Sequence, residues 1–263
     1  MKFSIIPEYS DLKGTLALSE KYDVNLEYND FWMPGVYDNE AEIVKRIEGY
    51  KSLSRNRSGD TLHGAFLGLD IAAIDPVLRK RSRDLIVQSV EIAKELGVKG
   101  VIFHSGLIGT LRLDYYLNHW LEEATQFFGD LCRKNPGLII YMENSFEQEP
   151  DIFVRLMEQM KDVPNFKLCL DYARASVTPT PTEVWMKKLS PFIGHMHLND
   201  NDLHDDLHLV PGEGKIDYHK YLKLMEENHI DVSVLLEIRG LSKAEAALQY
   251  MNKLLKTPDD KTY

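Results

Sequence analysis

Short apolar runs alternate with longer stretches in which apolar residues recur every three or four positions, and the alternation persists to about residue 255. The first kind reads as a strand buried on both faces, the second as an amphipathic helix laid over it. Eight runs qualify as strands: residues 2–6, 24–29, 61–66, 99–104, 138–143, 166–171, 193–198 and 232–237. Between them, one helix begins near Asn39 and carries Ile43, Ile47 and Tyr50 on one face. Another spans about 76–97, carries Leu85, Ile86, Ser89, Ala93 and Leu96, and stops at Gly97. The last opens on Ser242-Lys243-Ala244-Glu245, a capping-box spacing in which the Ser242 and Glu245 side chains reciprocally satisfy free backbone donors. Eight strand–helix units without a compositional break predict a single α/β domain over residues 1–263. The expected architecture is a closed (β/α)8 barrel of parallel strands, with a polar tail after Leu255.

Polar residues fall at one end of these strands. Six of the eight carry a metal-competent side chain at or just past the C-terminal end: His63; His104; Glu143, followed by Asn144; Asp171; His197, within His195-Met196-His197-Leu198-Asn199-Asp200; and Glu237. In a parallel barrel those ends converge on one mouth, where active sites are built. Taken singly, each has a plainer reading: a strand-end carboxylate as a helix cap or ion-pair partner, a histidine as a hydrogen-bonded core residue. As a set they are harder to explain that way, because several ionised carboxylates aimed at one spot repel one another. A divalent cation removes the repulsion. Mixed Asp, Glu and His donors suit Mn, Zn, Fe or Co better than Mg or Ca. After the seventh strand, Asp206 and His208 stand two apart in a polar loop and would face the same way in extended chain, while Gly212 and Gly214 permit a tight turn close to the site.

Composition narrows the partners. The chain has 263 residues, 44% hydrophobic and 27% charged, an ordinary globular balance. Its net charge of −10 argues against a nucleic-acid partner, which needs a concentrated basic face, although a local patch remains compatible with an acidic total. No segment approaches the roughly 18 apolar residues of a membrane span, and the first apolar run is too short for a signal peptide, so the cytoplasm is the expected compartment. Cys132, on a helix, and Cys169, inside a strand, read as buried small hydrophobes.

Together, His197-Leu198-Asn199-Asp200, Asp206-x-His208 and Pro211-Gly212-Glu213-Gly214, in their order within residues 61–240, resemble the xylose-isomerase-like TIM barrel superfamily. That group includes sugar and sugar-phosphate isomerases and epimerases, hydroxypyruvate isomerase, inosose dehydratase and endonuclease-IV-like enzymes. The resemblance implies that Glu143, Asp171, His197 and Glu237 are the shared metal ligands. It matches His63 and His104 to histidines that, with Glu143, hold a second ion in the nuclease branch, and Asp206 and His208 to two ligands of a third. The remaining third-site ligand is normally a histidine three residues after the strand-six aspartate, where this chain has Arg174. A guanidinium does not ligate a cation and repels it, which counts against a complete three-metal phosphodiesterase centre.

The expected function is therefore isomerisation or epimerisation of a small polyhydroxylated carbonyl compound through an enediolate. By resemblance to the epimerases, Glu143 and Glu237 act as acid and base at the metal. The alternatives are an endonuclease-IV-like phosphodiesterase, a dehydratase or lyase of the same superfamily, and a barrel that only binds a sugar-like ligand. Arg174 either meets a phosphate or carboxylate of the substrate or pairs with Asp206 or another acid of the mouth. Arg239 is a second candidate for the same task or a structural ion pair, and Asn144 is a further candidate substrate contact. Phe31 and Trp32 offer an aromatic rim or simple packing, and Glu27 reaches either the mouth or a neighbouring helix. Members of the superfamily are often dimers or tetramers, so self-association is expected as an open possibility.

Overall fold

The computed structural model describes residues 1–256; residues 257–263, the greater part of the polar tail after Leu255, lie outside the described residues. The strands are β1 (Lys2–Ile5), β2 (Asn25–Tyr28), β3 (Thr61–His63), β4 (Gly100–His104), β5 (Ile139–Glu143), β6 (Phe166–Asp171), β7 (Ile193–Leu198) and β8 (Ser233–Leu236). All neighbouring pairs are parallel, and β8 pairs back onto β1, so the sheet closes into a barrel in chain order. Each expected strand is present. Among the described residues the helices are α1 (Leu12–Tyr22), α2 (Glu40–Lys51), α3 (Pro76–Leu96), α4 (Asp114–Lys134), α5 (Asp151–Gln159), α6 (Tyr172–Ser176), α7 (Thr182–Leu189), α8 (Tyr218–Glu227) and α9 (Leu241–Lys256).

Local chemistry sets the helix ends. Asn39 caps α2 by accepting from the Glu42 amide, and Ile43, Ile47 and Tyr50 face the sheet. Asp75 caps α3 ahead of Pro76, and Gly97 ends it in the left-handed conformation at φ 71°, which only glycine adopts cheaply. The capping box expected at Ser242 does not form. Helix α9 already begins at Leu241, with the Ala244 amide bonded to the Gly240 carbonyl. Glu245 instead reaches α1, where it accepts from Lys21 at 2.6 Å and from the Tyr22 hydroxyl at 3.0 Å. Two external partners outweigh the weak local bond.

Outward-facing strand residues, among them Val101, Phe103, Ile140, Met142, Leu168, Leu170, Met196 and Val234, pack with the helices in one continuous apolar core. Full burial of a side chain such as Phe128 contributes roughly 1.5–3 kcal/mol. The lumen is different. Its apolar content includes a small cluster of Ile102, Tyr141 and Cys169 with Ile139 packed against it, and buried Leu235; the remaining inward positions include buried Ser4, Glu27, Thr61, His63, Glu143, Asp171, His195 and His197. A packed barrel lumen is ordinarily filled by branched apolar residues. Here it is polar toward one end, and that end is the site. Both cysteines are buried and free, Cys132 on α4 and Cys169 on β6.

Candidate metal centre

Register delivers the polar side chains to a common level. His104 and Glu143 end β4 and β5 as a paired couple, and Asp171, the last residue of β6, pairs with His197 on β7. Glu237 follows β8, its amide held by the Leu198 carbonyl at 2.9 Å. One donor atom from each of Glu143, Asp171, His197 and Glu237 lies within 4.8 Å of the others. Nδ1 of His197 stands 3.1 Å from Glu143 Oε1 and 3.7 Å from Glu237 Oε2. Glu143, Asp171 and His197 are fully buried and Glu237 nearly so. Glu143 Oε2, Asp171 Oδ2 and Glu237 Oε2 are buried atoms that accept no hydrogen bond. Orphaned carboxylate oxygens are costly inside a protein, and a divalent cation satisfies them together, so this donor set fits such an ion.

The simpler role of a strand-end acid coexists with this one. Asp171 Oδ1 caps α6 by accepting from the Arg174 amide at 2.8 Å, which leaves Oδ2 to the cluster. His63 and His104 form a second set with Glu143, their Nε2 atoms 3.4 and 3.2 Å from Glu143 Oε2.

Arg174 fills the space beside these groups. Its Nη1 donates to Glu143 Oε1 at 2.7 Å and to the Asn144 carbonyl at 2.9 Å, and its Nε donates to Asp206 Oδ2 at 3.1 Å. The same Nη1 is 3.2 Å from Asp171 Oδ2, close enough for charge attraction but without hydrogen-bond geometry. His208 meets Asp206 at 3.5 Å through a left-handed backbone, φ 49°, rather than the extended chain expected from their spacing. These charges set the titration behaviour. Burial pushes the Glu143 carboxyl upward, but His197, His104 and Arg174 outweigh it and hold the group well below the usual carboxylate range. Burial drives Asp171 up to about 7; Arg174 opposes the rise, and Glu237, Asp206 and Glu143 add to it. Burial disfavours the His208 cation, yet its hydrogen bond with Asp206 and the charges of Glu237 and Asp171 raise it to about 9.

A cavity of about 480 Å³ opens above the cluster, lined among others by Trp32, Phe66, Arg174, His208, Glu237 and Arg239. The volume suits a small molecule. The profile of the xylose isomerase-like TIM barrel family matches residues 28–255. The chain belongs to that family. An uncharacterised relative from Methanocaldococcus jannaschii is 26% identical over 209 residues, 76% of this chain and 71% of that protein. Fructoselysine 3-epimerase of Shigella flexneri is 23% identical over 68% of this chain and 63% of its own length. Among solved structures, a Thermus thermophilus protein soaked with zinc chloride superposes with a TM-score of 0.79 at 23% identity, covering 97% of this chain and 98% of that one.

Within this family member, the other expected site residues divide. Arg239 lines the cavity, its guanidinium 5.7 Å above the Trp32 ring and 3.3 Å from the Asn29 carbonyl, and among the described residues it makes no carboxylate ion pair. Trp32 packs on Phe66, which covers His63 and His104, so this side of the rim is aromatic; Phe31 is buried against Tyr50 and takes no part. Asn144 is not directed into the cavity. Its amide bonds the Asp171 backbone in both directions, at 3.0 and 2.8 Å, and straps β5 to β6. Gly212 and Gly214 form their turn around Asp200, whose carboxylate accepts the amides of Gly212, Gly214 and Ile216, rather than around the candidate donors. A side chain on Gly214 would collide with the Asn201 carbonyl at 2.3 Å. Glu27 reaches neither mouth nor helix. It lies in the lumen beneath the cluster, 3.0 Å from His197 Nε2 and 3.1 Å from His195 Nε2. The signal for both was the period of two: Glu27 shares an inward face with Asn29, and His195 with His197.

Proposed function

We propose that the protein is a metal-dependent epimerase or isomerase acting on a small, sugar-like polyhydroxy carbonyl compound. The observation that carries the reading is the Glu143–Asp171–His197–Glu237 set, with its orphaned oxygens, at the floor of a small-molecule cavity. Family membership and the likeness to a fructoselysine 3-epimerase support it.

Glu143, Asp171, His197 and Glu237 would hold one divalent ion, with Mn, Zn or Co suited to the donors. When bound, the ion would supply Lewis acidity that draws electrons from a carbonyl and an adjacent hydroxyl and acidifies the hydrogen on the hydroxyl-bearing carbon next to the carbonyl. Glu143 reaches the site from β5 and Glu237 from the end of β8, so the carboxylates approach from different strands. One accepts the proton and the other returns one, which gives epimerisation when the two act on opposite faces of the carbon. Glu143 is suited to acceptance because His197, His104 and Arg174 keep it ionised. Trp32 and Phe66 provide apolar surface for the carbon-bearing face of a sugar. Arg239, in no carboxylate ion pair among the described residues, is available to a substrate oxygen, whereas Arg174 is largely consumed by the site's own acids.

A second reading is favoured by one observation: His63, His104 and Glu143 form a further donor set, as a two-ion hydrolase requires. The two separate by metal counting combined with an activity screen. One exchangeable ion per chain and interconversion of ketoses or their phosphates support the epimerase. Two or more tightly held zinc ions and cleavage of abasic-site DNA would replace it.

A further inference from the structure

Glu27 is a fully buried carboxylate in the barrel lumen, and the proton chemistry proposed above leaves it without a task. Its partners are well defined. Oε2 accepts from the Thr61 hydroxyl at 2.7 Å and lies 3.1 Å from His195 Nε2, while His195 Nδ1 meets the Ser233 hydroxyl at 2.7 Å. Oε1 lies 3.0 Å from His197 Nε2, in ion-pair contact but without hydrogen-bond geometry. The other nitrogen of the same ring, Nδ1, faces Glu143 and Glu237. The His197 imidazole thus stands between an isolated carboxylate below and the donor cluster above.

We infer that Glu27 is a positioning residue for the metal centre, fixing the tautomer and rotation of His197 so that Nδ1 presents its lone pair to the ion. An ionised carboxylate only accepts hydrogen bonds, and a neutral imidazole has one N–H and one bare nitrogen. The ring has a carboxylate at each nitrogen, Glu143 at Nδ1 and Glu27 at Nε2; an ion that claims Glu143 leaves Glu27 to hold the hydrogen on Nε2, and the bare nitrogen is then Nδ1. Carboxylate–histidine–metal relays of this kind orient the ligand and raise its basicity. A purely structural strut joining β2, β3 and β7 would not need a charge, since apolar packing does that task without the desolvation cost of a buried ion. The inference rests on the metal-dependent reading above. Its rival in the structure is the deeper set of Cys169, His195 and His197, which can also approach one ion.

The test titrates cobalt(II) into metal-stripped wild-type protein, Glu27→Gln and His195→Gln, following visible absorption and heat, with circular dichroism to verify folding. The inference expects Glu27→Gln to bind cobalt about 10- to 100-fold more weakly, with altered visible bands. His195→Gln, which leaves the Glu27–His197 contact in place, is expected to lose well under tenfold. Folded Glu27→Gln that binds cobalt as wild type does overturns the inference and leaves the metal reading standing. Wild type that binds no cobalt overturns both. An intense near-ultraviolet thiolate-to-cobalt band would assign the ion to Cys169 and also overturn it. Should no Glu27 variant fold, wild type labelled with 15N-histidine and loaded with 113Cd decides the matter: coupling through Nδ1 of His197 is expected, and coupling through Nε2 contradicts it.

Discussion

Replacing Arg174 with methionine removes the guanidinium that pairs with three acids of the site, Glu143, Asp171 and Asp206. The guanidinium is 2.7 Å from Glu143, 3.1 Å from Asp206 and 3.2 Å from Asp171, with its side chain 8% exposed and those of Glu143 and Asp171 fully buried. Deleting one partner of a buried pair costs about 3–5 kcal/mol, because the remaining charge is stranded. Asp206 is partly exposed, and its share is discounted for solvent screening. For a chain of this length the loss corresponds to a fall in Tm on the order of 10 °C in metal-free protein. The penalty has a pH sign. Without the guanidinium the carboxyl groups hold their protons to higher pH, so the variant's deficit is small in acid and grows as pH rises through the range where they ionise. Metal should reverse it, since a divalent ion neutralises the same oxygens, and the metal-induced rise in Tm is expected to be larger in Arg174→Met than in wild type. Differential scanning calorimetry with chelator and with cobalt measures all of this. A metal-free variant as stable as wild type, or a metal-induced rise no larger than wild type's, would refute the picture of Arg174 and the metal sharing one acidic cluster.

Glu143→Gln and Glu237→Gln are each expected to lower turnover by about 10²–10⁴-fold while far-ultraviolet circular dichroism stays native; full activity in both variants removes their proton-transfer roles. Asp171, held up to about 7 by burial, gives metal uptake a pH dependence. Binding displaces its proton, so the apparent cobalt affinity should fall by up to about tenfold per unit below pH 7, and an affinity flat between about pH 5.5 and 8 contradicts the assignment. The same raised carboxyl stabilises the metal-free fold fully below about pH 4 and loses that contribution as pH climbs through about 7, which a urea midpoint series in chelator reads directly.

The barrel was legible because parallel strands buried on both faces leave continuous apolar runs, and because stops such as Gly97 and caps such as Asn39 and Asp75 act locally. The candidate donors could be picked out because each sits where an apolar run ends, a position visible in one dimension. What lay one layer deeper was not. Glu27 and His195 meet only when β2 and β7 face each other across the closed lumen, a contact with no local trace in the chain. Asp200 closes the strand-seven motif, and its role is set by three amides of the following turn, while Asn144, beside the candidate donor Glu143, is spent on the β6 backbone. Arg174 departs from the family pattern visibly in the sequence, but which acids it pairs with depends on the packing of the loop that carries Asp206. In each case a long-range partner outcompeted the role that neighbours in the chain implied.

The central claim is that Glu143, Asp171, His197 and Glu237 hold one ion in common, and anomalous diffraction from a manganese-soaked crystal tests it most directly. The account predicts a single strong peak in bonding contact with a carboxylate oxygen of each acid and with Nδ1 of His197. A peak held by His63 and His104 without Asp171, or no peak at saturating manganese, would contradict it.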